Sequence, residues 1–257
     1  MRTKQDIVQN WLPRYTGVPV EDFPKHILIT NFDNYVEIFC ETTGATVRRP
    51  DRAFKVAIAE DMCMINFGMG SANSATLMDL LSAITPKAVL FLGKCGGLKR
   101  KNDLGDLILP IAGVRGDGTS NDYFPPEVPA LPSFMIHRAV SHVIRDMELD
   151  YWSGTVYTTN RRVWEHDEVF KKRLRRMRCM AIDMETATLF MTGFANKIPT
   201  GALLLVSDQP MIPEGVKTSA SDAQVTNLYV RNHVKIGVAS LKEIINNGLS
   251  VKHLRYE

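Results

Sequence analysis

Three acids in the second half of the chain, Asp183, Glu185 and Asp208, stand at positions suited to chemistry. Asp183 and Glu185 follow a short apolar approach, Met180-Ala181-Ile182, and a helical stretch, Thr186–Asn196, begins directly after them. Asp208 follows Gly201–Val206, a continuous apolar run of strand length. Such runs belong to strands buried on both faces. In an open α/β sheet, ligands collect outside the carboxyl ends of the strands. Glu185 and Asp208 therefore lie where a polar ligand would be held. Asp183 and Glu185 also suit a plainer role, capping the helix they precede. Asp208 runs into Gln209-Pro210, which opens a loop rather than a helix, so capping accounts for it less well.

Other stretches carry donors and cations. Gly68-Met69-Gly70-Ser71 follows one predicted strand and precedes a helix, so backbone N–H groups such as that of Gly70 could meet an anion. The motif is short, and tight turns use glycine for conformational reasons too. Gly93-Lys94-Cys95-Gly96-Gly97 reads as a glycine turn at a second strand end. There Gly93 would admit a ligand to the backbone, and Lys94 is either a point charge for an anion or a solvated lysine. Arg161-Arg162 after a third strand would fork a phosphate bidentately or serve as surface charge. Arg115–Pro132 reads as a long loop of the kind that forms lids, with Arg115, Thr119 and Ser120 suited to a phosphate or sugar.

These residues need a scaffold, and 257 residues at 45% hydrophobic content can bury a large core. The pattern of runs predicts an α/β fold in one domain over residues 1–257. Strands are expected at His26–Thr30, Phe54–Ala59, Met62–Phe67, Ala88–Leu92, Leu107–Ile111 and Ser153–Thr158. Helices are expected at Thr3–Tyr15, closed by Pro13, at Ala75–Ile84, at Ser133–Met147 and at Asp222–Asn246. Net charge is only +3, so nothing demands nucleic acid, and the basic run Lys171–Arg178 reads as a solvated helix face. The four cysteines are scattered with no C-x-x-C pair, so neither metal nor redox site is expected. No cofactor is expected either, because no nucleotide-binding fingerprint is complete. The polar start and the lack of a membrane-length apolar run point to a cytoplasmic location away from membranes.

Taken together, Gly68-Met69-Gly70, Gly93–Leu98, Met184-Glu185 and Ser207-Asp208 resemble, in order and separation, the purine nucleoside phosphorylase/nucleosidase superfamily. The resemblance covers nearly the whole chain. Leu28–Tyr35, Arg115–Pro132 and Ser207–Thr218 resemble more narrowly the catalytic part of bacterial AMP nucleosidases. The resemblance implies a three-layer α/β/α fold around a twisted mixed central sheet, assembled as a homohexamer. It implies that AMP and water give adenine and ribose 5-phosphate. Asp208 would donate a proton to N7 of the leaving purine, Glu185 would hold the ribose hydroxyls, and Met184 would pack on the sugar. Adenine would stack near Asn160–Trp164, on Trp164.

Phosphorylases of this family hold inorganic phosphate partly with an arginine two residues before the glycine and a serine just after it. Here Phe91 and Lys94 occupy those positions, which favours water as the nucleophile. The candidates for the substrate's own 5′-phosphate are Lys94, Arg161, Arg162, Arg115, Thr119 and Ser120. Two rivals differ in class. A phosphorylase acting on unphosphorylated nucleosides would make sugar 1-phosphate only when phosphate is supplied. A non-catalytic nucleotide sensor would not need a proton donor such as Asp208.

Overall fold

The apolar runs become the strands of one mixed sheet. The computed structural model describes residues 2–247. In chain order the strands are β1 (His26–Thr30), β2 (Thr46–Arg48), β3 (Lys55–Ile58), β4 (Met62–Asn66) and β5 (Ala88–Gly97), followed by β6 (Leu107–Gly116), β7 (Trp152–Thr159), β8 (Ala181–Asp183) and β9 (Thr200–Asp208). β1 pairs in parallel with β4 and β5, and β3 with β4 forms the expected antiparallel hairpin. β5, β9, β6, β7 and β8 then pair in succession, and β8 returns to β5, closing a ring.

Side chains alternate across this sheet, as the two-residue strand period requires. Ile27 and Ile29 of β1 join Val89 and Phe91 of β5 in one core, under α1 (Lys4–Thr16), α3 (Ser71–Leu81) and α6 (Thr186–Ala195). Leu28, Leu90 and Leu92 face the opposite core, under α2 (Asp33–Thr43), α4 (Phe134–Asp146) and α7 (Ser219–Asn247). The layers are thus α/β/α. The basic helix, α5 (Glu168–Met177), packs Leu174 and Phe170 beside Tyr157, Trp164 and Ile182 in a smaller cluster.

Three local features differ from the sequence pattern. Pro13 lies inside α1, which ends instead at Gly17 in the left-handed conformation. Gly93–Gly97 is strand, because β9 and β8 supply backbone partners that outweigh glycine's preference for turns. The long loop begins later than expected, since Arg115 and Gly116 still pair with Thr158 and Thr159.

One close approach holds the α6 layer to the sheet. A Cβ on Gly113 of β6 would lie 2.7 Å from Ala187 Cα in α6. Backbone cannot yield as a flexible side chain can, so Gly113→Ala is overpacked by design of the fold. It should lower stability by about 1–3 kcal/mol, measured by urea unfolding.

Candidate active site

The carboxyl ends of β1, β5, β7, β8 and β9 surround one cleft. Asn31, Phe32, Lys94, Asp183, Met184, Glu185, Asp208 and Lys217 are among the residues that line it.

Asp183 is the helix cap that the sequence left open. Its Oδ2 accepts hydrogen bonds from the Thr186 backbone N–H (2.7 Å) and hydroxyl (2.5 Å), and its Oδ1 from the Thr158 hydroxyl (2.7 Å). The Thr158 oxygen in turn accepts from the Ala187 N–H at 2.8 Å. Because Asp183 serves the helix, Glu185 makes no side-chain cap bond and turns into the cleft instead. Glu185 Oε1 accepts from the Gly70 N–H (2.8 Å) and Asn31 Nδ2 (3.3 Å), and Oε2 from the Met184 N–H (3.2 Å). Gly70 can present its N–H this way because it sits at φ 97°, a conformation that side chains resist. Burial, and after it the charge of Asp183, pushes the Glu185 carboxyl up to about 8, against those three donors.

Asp208 is aimed by an irregularity in the sheet. Cys95 opposes Val206 but Gly96 opposes Asp208, so Ser207 is an extra residue in β9. Bulges of this kind re-aim side chains beside active sites. The Ser207 hydroxyl lies 2.7 Å from Asp208 Oδ1 and Lys217 Nζ lies 3.6 Å from it. Burial raises the Asp208 carboxyl above its ordinary range; Lys217 and the Ser207 hydroxyl act in the opposite sense.

Lys94 points to the α7 side of β5, opposite to Phe91. Its ammonium donates to Asp222 Oδ1 (2.9 Å) and Thr226 Oγ1 (2.8 Å) and lies 4.9 Å from the centre of the Phe32 ring. Only 2% of its side chain is exposed, so it is neither a solvated lysine nor a free phosphate ligand in this state. Arg161 pairs with Asp167 and Arg162 with Glu165, both at the rim, where exchange for a ligand is inexpensive. Trp164 lines the cleft but is buried, its ring edge-on to Phe170 at 5.3 Å.

Six sequence candidates do not line this cleft: Gly70, which reaches it through its N–H bond to Glu185, and Gly93, Asn160, Arg115, Thr119 and Ser120. Gly93 is interior to β5. The Arg115 guanidinium is consumed by its own loop, donating to the carbonyls of Ser120, Phe124 and Val128, among others, and to Asn121 Oδ1. Ser120 is buried on Asp117. The structure adds Asn31, Phe32, Lys217, Asp222 and Thr226 to the cleft and its support. Asn31 and Lys217 fall in the stretches Leu28–Tyr35 and Ser207–Thr218, whose overall resemblance was the only signal.

With this geometry in view, comparison with known proteins is direct. Residues 25–242 match the phosphorylase superfamily, and the chain belongs to that superfamily. Within it the chain is similar to AMP nucleosidases. A crystal structure of AMP nucleosidase from Bacteroides thetaiotaomicron VPI-5482 is 54% identical, with a TM-score of 0.85 over 96% of this chain and 100% of that one. The AMP nucleosidase of Escherichia coli K12 is 28% identical over 90% of this chain, which spans 57% of that protein's length. A uridine phosphorylase structure from Vibrio fischeri shares the fold at 17% identity and a TM-score of 0.78.

The raised Glu185 carboxyl has a stability signature. Between its ordinary value of 4.5 and about 8, the folded protein holds a proton that the unfolded chain has released. Stability must therefore fall as pH rises through that window. Glu185→Gln carries no such proton, so its stability relative to the unaltered protein should rise from pH 5 to pH 8 in urea titrations.

Proposed function

We propose that the chain is an N-glycosyl hydrolase that cleaves AMP to adenine and ribose 5-phosphate. The observation that carries this reading is full-length similarity, 54% identical, to an AMP nucleosidase structure. The site chemistry agrees with it, since the buried carboxyl of Glu185 and the 12% exposed carboxyl of Asp208 face one cleft from different strand ends.

In this reading the C1′–N9 bond breaks as water bonds to C1′, and electrons flow into the purine. Asp208 gives its proton to N7, and the proton lost by water restores the acid. Burial shifts the Asp208 carboxyl towards its acid form, the direction this task requires. Glu185 accepts hydrogen bonds from the ribose hydroxyls, and donating hydroxyls favour its ionised form. Its charge then stabilises the developing cationic sugar. Met184 packs against the sugar, and Trp164 forms the floor beneath the base. The rim cations Arg161 and Arg162 are the candidates for the 5′-phosphate. Lys94 is held by Asp222 and Thr226, and Phe91 is buried on the other face of β5, which supports water rather than inorganic phosphate as the nucleophile.

The same reading takes the chain as one catalytic domain, cytoplasmic and assembled as a homohexamer. Exposed apolar Ile111, Leu131 and Phe134 support self-association, and free Cys40, Cys63, Cys95 and Cys179 suit a reducing compartment.

The direct test is incubation with AMP and chromatography for free adenine, with and without phosphate. Asp208→Asn should lower turnover by about 10²–10⁴ while AMP still binds. With two charged hydrogen bonds to the phosphate, at about 1.5–3 kcal/mol each, AMP should exceed adenosine in kcat/KM by at least about a hundredfold. Comparable activity on the two, or phosphate-dependent sugar 1-phosphate, would return the phosphorylase reading to first place. The Glu185 role adds that 2′-deoxy-AMP should be a poor substrate, and equal efficiency on it and AMP would remove that role.

A further inference from the structure

Lys217 has no role in the mechanism above, yet its ammonium is shared by two carboxylates of the cleft. Nζ lies 3.6 Å from Asp208 Oδ1 and 3.5 Å from Asp222 Oδ1. The second oxygen is already taken by Lys94 at 2.9 Å. Lys94 is thus firmly seated, whereas Lys217 sits between two acids at the outer limit of bonding distance. Its backbone is fixed on both sides. The turn Pro213–Gly215 precedes it, and Thr218 begins a reciprocal cap in which Thr218 and Ser221 each donate a backbone N–H to the other's hydroxyl. The long side chain on this anchored backbone is 24% exposed and lines the cleft. It can swing without moving α7.

The shape of a nucleotide supplies the next step. In the anti conformation, N7 of the purine and the 5′-phosphate lie on the same edge of the molecule. A lysine that touches the acid serving N7 is therefore within reach of the phosphate. We propose that Lys217 is a transferable cation: it pairs with Asp208 in the empty site and moves to the substrate's 5′-phosphate, leaving Asp208 to keep its proton for N7. The substrate's phosphate would then arm the acid as well as supply affinity. This rests on the reading of AMP as substrate.

Among the described residues, the other charges around Asp208 have partners of their own and none is paired with its carboxyl. Arg162 and Glu165, from the segment after β7, pair with each other, and Lys94 on β5 is locked to Asp222; Cys95 of β5 is buried. Of these cations only Lys217 is paired with Asp208, so only its departure removes a cation from contact with the acid. While it is near Asp208 it favours the carboxylate; once it leaves, burial favours the acid. Turnover needs the protonated acid and is lost as pH rises through its titration. The alkaline limb of kcat reports the acid in the bound complex.

The experiment compares kcat against pH for AMP and adenosine. In the unaltered protein the alkaline limb should lie at higher pH with AMP than with adenosine. In Lys217→Met the two limbs should coincide, because the adenosine limb moves up, and kcat/KM for AMP should fall at least about tenfold. Lys217→Arg should restore the separation. A second arm needs no turnover. The Asp208 carboxyl, assigned by its loss in Asp208→Asn, is titrated by carbon-13 NMR with ribose 5-phosphate. Its midpoint should rise in the unaltered protein and stay fixed in Lys217→Met. Limbs that remain separate in Lys217→Met, or a midpoint that ribose 5-phosphate does not move in the unaltered protein, would overturn the proposal. Failure to release adenine from AMP would instead overturn the substrate reading, and the titration would still decide the role of Lys217.

Discussion

The arrangement of the cleft depends on one buried carboxyl group whose bonds hold the start of a helix. Asp183 is buried, and burial raises its carboxyl above the ordinary range, so a group so placed demands hydrogen-bond partners. Thr158 from β7 and Thr186 from α6 meet that demand, so a single acid sews a strand end to a helix start. Two consequences follow from the same bonds. The helix no longer needs Glu185 as its cap, and Glu185 acquires an acidic neighbour that raises its own carboxyl further. The cleft thus inherits both its free carboxyl and its electrostatic bias from an interaction whose local purpose is to start a helix.

A second acid organises the other wall. Asp222 lies in the first turn of α7, where a helix favours negative charge. It draws Lys94 inward from β5 and holds Lys217 from the preceding segment. Charges therefore alternate from Lys94 through Asp222 and Lys217 to Asp208. Each member is partly neutralised by the next, which lets a narrow cleft carry four ionisable groups without a large net field. Each cation in this row is already in use, so any anion that entered it would have to exchange partners rather than fill a vacant charge.

The sequence spoke most clearly where the signal is local. The runs at Ala88–Leu92 and Gly201–Val206 read as inner strands and lie in buried β5 and β9, and Gln209-Pro210 weakened a capping role for Asp208. It spoke least clearly where a residue's partner is distant. Gly93–Gly97 looks like a turn until β8 and β9 are seen beside it. Arg115, Thr119 and Ser120 look like phosphate ligands because sequence displays donors and hides acceptors; the carbonyls that consume the Arg115 guanidinium lie 5–13 residues further along its own loop. Asn31 and Lys217 carry no periodicity or cluster of their own, and only the folded chain brings them to the carboxylates they serve.

The ring formed by β5, β9, β6, β7 and β8 has a bearing on how the molecule coexists with its own copies. A sheet edge presents unpaired backbone groups to any other extended chain, and long flat edges template aggregation. Closing five strands on themselves leaves β2 as the free edge among the described residues. That edge is three residues long, exposed throughout, and runs into Arg48, Arg49 and Pro50. Charge and proline there are what discourage strand addition. The nine strands of the described residues thus expose almost no template for misassembly, and that protection comes from topology as much as from surface composition.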